Sequence, residues 1–413
     1  MSDISIIVIG AGIVGVSAAL ALQRDGHHVT LLDREKPCAG ASFGNAGLIC
    51  NASCVPNAMP GIATDIVRMI GKPLAPVSIR LAYLLRIFPW LIRFLYESRP
   101  SRVQQNAHNL HALTRRAIDG WRRLTENTDL ARLLKEGGWL KVYESERSFE
   151  ATYNARVLMD EIGSPYDILA AGDIQDLEPQ LAPIFDHGIL LRDILKIDNP
   201  GRIVQGMVDL FVNRGGVYEQ FEVRTIRIEG EIIKLQNTGG SKSADKVIVA
   251  AGAWSGPLAK QLGDVVPLDT ERGYHLMFSV GSSALLNRPV MNGDVPFVLC
   301  PMETGLRLTS QVEFAGLDAP ADFRRVRSLL PEVRRMLPGI DDAEKSVWMG
   351  CRPSLPDSLP VLGFASNSNN VLYAFGHQHL GITLGPISGL IVADLVAGRD
   401  PGVDLTPYRP ERY

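Results

Sequence analysis

Apolar positions along the chain recur in two rhythms, one of strands and one of helices. Residues 4–9 form a charge-free run that reads as a buried strand, and the alanines and leucines after Gly10, Gly12 and Gly15 read as a helix. Residues 28–32 predict a second strand, which ends at Asp33. Val103, Ala107, Leu110, Leu113, Ala117, Trp121 and Leu124 share helical spacing. They predict one amphipathic helix with Arg115, Arg116, Arg122 and Arg123 on its solvated face. Residues 138–143 read as a strand, and Pro200–Asn213 as a helix closed by Gly215 and Gly216. Residues 217–223 and 225–233 read as strands, with a turn at Glu229 and Gly230. Residues 245–255 predict a buried strand that leaves through Ala250, Ala251, Gly252 and Ala253. Residues 267–345 alternate apolar and polar positions between frequent turns, which predicts an antiparallel sheet. A last strand opens at Asn370, and a last helix spans 386–396 with Pro386 at its start.

The three glycines carry the first chemistry. In a strand–turn–helix unit the first permits the tight corner, the second lets backbone approach a pyrophosphate, and the third lets helix and strand pack closely. The helix start favours phosphate charge. Asp33, at the end of the next strand, is placed to accept hydrogen bonds from a ribose diol and disfavours a 2′-phosphate. Residues 40–47, GASFGNAG, form a second small-residue stretch where amides and the Ser42 hydroxyl can meet more phosphate or a flavin ring. The small-residue exit at 250–253 lets backbone pass close to a nucleotide. No second strand–GxGxxG–helix unit occurs, which points to FAD as the sole dinucleotide.

Composition narrows the class. The chain has 413 residues, 46% of them hydrophobic, enough for two cores. Net charge is −3, so no basic field argues for nucleic acid. Cys38, Cys50, Cys54, Cys300 and Cys351 make no metal-binding pattern, and their odd number fits a reducing, cytoplasmic compartment. A first strand at residue 4 leaves no room for a signal peptide. The apolar stretch 79–96 is interrupted by Arg80, Arg86 and Arg93 and broken by Pro89, which predicts two short helices rather than a membrane span. These helices either pack on the protein body or touch a membrane surface, placing the protein at its inner face.

The C-terminal part adds "GCRPSLPDSLPVLG" (350–363) and "GHQHLGIT" (376–383). With the glycine–Asp opening, SFGNAG and AAGAWS, in this order, the chain resembles the D-amino-acid oxidase and dehydrogenase superfamily of FAD enzymes. It is most similar to bacterial D-amino-acid dehydrogenases, over nearly its whole length. The resemblance implies an α/β fold in which a Rossmann-like FAD-binding domain (1–58, 170–264, 346–413) is interleaved with a smaller α+β substrate domain on an antiparallel sheet (59–169, 265–345). It implies hydride transfer from the α-carbon of a D-amino or cyclic imino acid, such as D-proline or hydroxy-D-proline, to flavin N5. Water then hydrolyses the imine, and electrons pass to a quinone or carrier protein. A glycine- or sarcosine-type oxidase and a flavin-binding subunit of a heteromeric dehydrogenase are the alternatives. Oligomeric state has no signal in the sequence.

Site residues follow residue by residue. Non-covalent FAD is expected against Gly10, Gly12, Ile13, Val14, Gly15, Asp33 and Arg34, then Ser42, Asn45, Ala46, Gly47 and Leu48. Val223, Ala251, Gly252, Trp254, Gly376, Gly381, Ile382 and Thr383 complete its contacts. The resemblance gives Arg352 the substrate carboxylate, which a guanidinium grips with two parallel hydrogen bonds. It points to Tyr274 in ERGYHLMF as a catalytic tyrosine, with its neighbour His275 in the substrate pocket. His379 is expected at the catalytic centre, and His377 and Gln378 in the substrate pocket; capping of the next helix is the competing role for the histidines. Many relatives have glycine where Gln378 stands.

Overall fold

The computed structural model describes residues 4–62 and 75–413. The expected substrate-domain segment 59–169 therefore includes residues 63–74, which lie outside the described residues.

Two sheets organise the chain. The first has six strands in the order Val361–Ala365, Ser368–Phe375, Lys246–Val249, Ser5–Ile9, His28–Asp33 and Val217–Gln220. Neighbours run parallel except the first pair. Ser5–Ile9 is central, with Val8 paired to Ile248 on one side and Leu31 on the other. Ile6 and Val8 enter the core shared with helices Ile13–Arg24, Pro200–Asn213 and Gly381–Val396. Ile7 and Ile9 instead join a core with the small sheet of Thr225–Glu229, Ile232–Asn237 and Gly240–Ala244. Burial of both faces explains an apolar run without alternation.

The second sheet has ten strands. Its path runs Ser346–Ser354, Asp269–Met277, Gly305–Phe314, Phe297–Met302, Val290–Asn292, Leu134–Tyr143, His187–Ile197 and Leu48–Cys50. Val77–Ile79 adds to Gly305–Phe314, and Asp167–Ala170 to His187–Ile197. The expected domain segments shift accordingly. Leu48–Cys50, His187–Ile197 and Ser346–Ser354 fall within segments assigned to the nucleotide domain, yet all three lie in this sheet. An apolar strand reads the same in either sheet, so its pattern does not say which it joins.

Three helix boundaries also differ from expectation. The stripe from Val103 to Leu124 is buried throughout, but the helix breaks at Arg115 and Arg116 into Pro100–Thr114 and Ala117–Thr125. In the 79–96 stretch one helix, Leu84–Glu97, continues through Pro89. The proline removes one bond, to the carbonyl of Leu85, a residue 91% exposed where water replaces it. The last helix begins at Gly381, so Pro386 lies inside it. That proline frees the carbonyl of Ile382, and the Trp121 indole N–H donates to it at 2.7 Å. With its preceding turn this helix is long and apolar enough to cross a membrane, but 72% of its apolar window is buried in the core.

Candidate active site

The two sheets meet around a cavity of about 1760 Å³, above the roughly 300–1,000 Å³ of a site for one drug-sized ligand. The first sheet builds one end. Gly10 has φ +112°, and a Cβ there would fall 2.3 Å from the Ala250 carbonyl oxygen. A Cβ on Gly15 would fall 1.8 Å from the Gly10 oxygen. The corner closes only with glycine at both positions. Ile13 N–H donates to Ser42 Oγ at 3.1 Å. The N–H groups of Gly12 and Val14, also on the cavity wall, find no acceptor among the described residues. That leaves an anion cradle at the positive helix end.

Asp33 accepts from the N–H groups of Ala11 at 2.6 Å and Glu35 at 2.9 Å. Burial outweighs these bonds and raises its pKa, while its remaining lone pairs suit a diol. The Arg34 guanidinium lies 3.5 Å over the Trp254 ring, and Val223, Ala251 and Gly252 share that wall. This cradle fits the nucleotide half of FAD.

Further along, Asn45 accepts from Gly47 N–H at 2.8 Å and donates to the His379 carbonyl at 3.3 Å. Buried Arg307, which the sequence reading missed, donates to the Asn45 carbonyl at 2.5 Å and clamps the SFGNAG loop. Burial brings its pKa down to about 10. Ala46, Leu48, Gly381, Ile382 and Thr383 line this part, and Thr383 Oγ1 donates to the Leu48 carbonyl at 3.0 Å. The amides that open the last helix thus stand on the wall where a flavin ring would lie. Three expected contacts do not. Gly15, Gly47 and Gly376 shape the wall from behind; a Cβ on Gly47 would fall 2.1 Å from the Ile197 oxygen, and one on Gly376 2.4 Å from Leu355 Cδ1.

At the far end stands Arg352, on a strand paired antiparallel with Asp269–Met277. Its guanidinium crosses Gly273, and Nη1 reaches the Gln311 carbonyl at 3.5 Å. Gln311 has φ +60°, at a bulge where it and Val312 oppose Gly273 alone. Among the described residues no carboxylate pairs with Arg352. Burial lowers its pKa, with Glu271 acting against that shift. A guanidinium in such a place is set to receive an anion.

The histidines divide. His379 is exposed, but into the cavity, and protein surroundings followed by Arg352 and Lys141 hold its pKa down to about 4. It is a neutral wall residue at physiological pH. His377 is buried and bonded to Ser388 Oγ at 2.9 Å, which ties the loop to the last helix; burial holds its pKa at about 3. Gln378 has φ +49°, a conformation that glycine adopts freely. Its amide accepts from Asn57 at 3.0 Å and donates to the Leu355 carbonyl at 3.1 Å. Both ends bind protein, so its amide spans two loops.

Tyr274 is not at the site. Strand alternation turns Glu271, Gly273 and His275 to the cavity side and Arg272, Tyr274 and Leu276 to the opposite core. Tyr274 Oη donates to Glu313 at 2.5 Å and packs edge-on against Phe323. His275 lies behind the cavity wall, stacked on Trp348 with centroids 5.1 Å apart. Trp348 lines the cavity, filling space that a Cβ on Gly44 or Gly350 would occupy. Glu271, Gly273, Gln311 and Trp348 went unnoticed in the sequence because only the strand pairing brings them to Arg352.

The chain is similar to known proteins along its whole length. A family described as FAD dependent oxidoreductase (DAO) matches residues 5–395. The D-amino-acid oxidase of Bradyrhizobium diazoefficiens is 32% identical over 98% of both chains. The D-amino acid dehydrogenase of Helicobacter pylori is 27% identical over 94% of both. In fold, the chain is similar to glycine oxidase from Geobacillus kaustophilus (TM-score 0.75, 23% identity, 100% of both chains). L-proline dehydrogenase from P. horikoshii gives a TM-score of 0.75 at 18% identity, covering 100% of this chain and 98% of that one. With the glycine cradle, Asp33 and the helix-end amides in place, the chain belongs to the DAO family of FAD-dependent oxidoreductases.

Proposed function

We propose that this enzyme oxidatively deaminates a D-amino or cyclic imino acid, with D-proline and its hydroxylated forms as the first substrates to test. The observation that carries the reading is Arg352, whose guanidinium no carboxylate pairs with among the described residues, on the wall of the cavity that also holds the FAD cradle. Its planar fork binds the substrate carboxylate and fixes the orientation of the α-carbon. FAD, when bound, supplies the two-electron acceptor for the α-hydrogen. Trp348, Met291 and Phe297 add apolar wall that limits water around the bound carbon. Neutral His379 adds no positive charge beside Arg352 on that wall. The imine product is hydrolysed by water to the oxo acid and ammonia, or opens its ring when cyclic. The relatives named D-amino-acid oxidase and dehydrogenase support the D series.

A quinone or another membrane-held acceptor is the proposed electron outlet, with the enzyme peripheral at the inner face of the membrane. The support is the helix Leu84–Glu97. Leu85, Phe88 and Ile92 are 91%, 56% and 53% exposed, beside exposed Arg86 and Arg93. Phe88 also lines the cavity, so the apolar face and the cavity are continuous. Such a face suits an anionic lipid surface.

A panel of D- and L-amino acids with a quinone analogue, in air and without it, tests both parts. Turnover of D-isomers that is faster with the quinone analogue than with oxygen supports the reading. Equal peroxide-forming turnover in air would make the enzyme an oxidase, and no turnover of any amino acid would remove the substrate class.

A further inference from the structure

We propose that Glu271 is the anionic half of the substrate site, binding the substrate's ammonium group and taking one of its protons. The inference rests on the assignment of Arg352 to the substrate carboxylate. Glu271 and Arg352 are direct partners across the Asp269–Met277 and Ser346–Ser354 strands, so their side chains leave the same face. That face opens to the cavity, and both residues line it.

Glu271 is only 5% exposed, yet no Lys, Arg or His nitrogen pairs with it within 4.0 Å among the described residues. Buried carboxylates without a cation are rare because desolvation is not repaid. Arg352 acts on it through space without closing an ion pair. A cation and an anion therefore stand side by side in one cavity, each without a contact partner of opposite charge among the described residues. An amino acid carries the matching pair on neighbouring atoms.

The proton step balances simply. An N–H bond of the substrate ammonium breaks and an O–H bond forms on Glu271, giving a neutral amine and a neutral carboxylic acid with no change in oxidation state. The freed nitrogen lone pair is what the α-carbon needs when its hydrogen leaves with the bonding electrons. Burial raises the Glu271 pKa, with Arg352 pulling it back and Asp269 on its own strand adding to the rise. Arg272 and Glu313 are paired on the opposite face of the sheet. Burial, outweighing Arg352 and a hydrogen bond from Ser354, thus favours a carboxyl that accepts a proton more readily than a surface one.

The test compares α-aminoisobutyrate, which lacks an α-hydrogen and so is not oxidised, with isobutyrate, which has a hydrogen in place of the amine. Binding to the FAD-loaded enzyme is read from tryptophan fluorescence, since Trp139 and Trp348 line the cavity. Glu271→Gln should weaken α-aminoisobutyrate at least tenfold and leave isobutyrate within about twofold. Its kcat/KM should also keep rising with pH toward the substrate amine's own pKa, while the wild type levels off earlier. Glu271→Ala carries the same comparison if the glutamine variant loses FAD. Wild-type binding of both ligands by the variants, with an unchanged pH profile, would overturn the proposal. Isobutyrate binding that survives Arg352→Ala would instead mark failure of the carboxylate assignment.

Discussion

The Arg352 guanidinium lies across Gly273 on the neighbouring strand, where a Cβ would fall 2.3 Å from Nη2. Gly273 is therefore a steric seat for the arginine, and it has no positive φ to demand glycine for the backbone. Gly273→Ala should displace the guanidinium and lower kcat/KM at least tenfold, with FAD content unchanged. Steady-state kinetics beside flavin absorbance checks this. Wild-type kinetics in the variant would mean that the guanidinium has room to move without cost.

Pro386 and Trp121 form a second dependent pair, through the carbonyl of Ile382. Trp121→Phe leaves that buried carbonyl without a donor, which costs about 1–3 kcal/mol, plus the loss of indole packing. Pro386→Ala restores a helical N–H, so the double variant should recover part of the loss. Denaturant midpoints for the four proteins measure the coupling. Strict additivity would show that the indole bond contributes nothing specific.

Buried histidines set an acid limit on stability. His377 has its folded pKa lowered from 6.5 to about 3 by burial, and His275 to about 3 by burial and Arg307. Below pH 6.5 the unfolded chain takes up protons that the folded chain refuses, so stability falls as pH falls toward 3. Each histidine contributes a slope approaching about 1.4 kcal/mol per pH unit. His377→Gln should be the less stable protein at neutral pH, for loss of the Ser388 bond, and should lose stability less steeply on acidification. Unfolding midpoints of both proteins between neutral pH and pH 4 test this, and parallel curves would contradict it.

Much of the cofactor end was legible because its constraints are local. Gly10, Gly15 and Asp33 act through backbone geometry and short reach, and the residues that need them are close in sequence or at fixed strand ends. The substrate end depends on long-range pairing. ERGYHLMF shows alternation, but not which face meets the cavity; the even-numbered face went to the far core and took Tyr274 with it. Glu271 becomes meaningful only beside Arg352, some eighty residues on. Pro386 reads as a helix start because its compensating donor, Trp121, comes from a remote helix. Arg307 reads as an ordinary charge in an alternating strand, and only folding puts its guanidinium under the SFGNAG loop.

The central claim is that Arg352 holds an amino acid by its carboxylate for oxidation, and anaerobic flavin reduction tests it most directly. FAD-loaded wild type, Arg352→Ala and Arg352→Lys are mixed with D-proline or another D-amino acid accepted in the panel, and flavin bleaching is followed in time. A charge-assisted hydrogen bond contributes about 1.5–3 kcal/mol, and each 1.36 kcal/mol is about tenfold in rate. Reduction per unit substrate should fall by at least one to two orders of magnitude in Arg352→Ala. Arg352→Lys should recover only part of it, because an ammonium keeps the charge and loses the fork. Full FAD occupancy with wild-type reduction by the D-isomer in both variants would contradict the account.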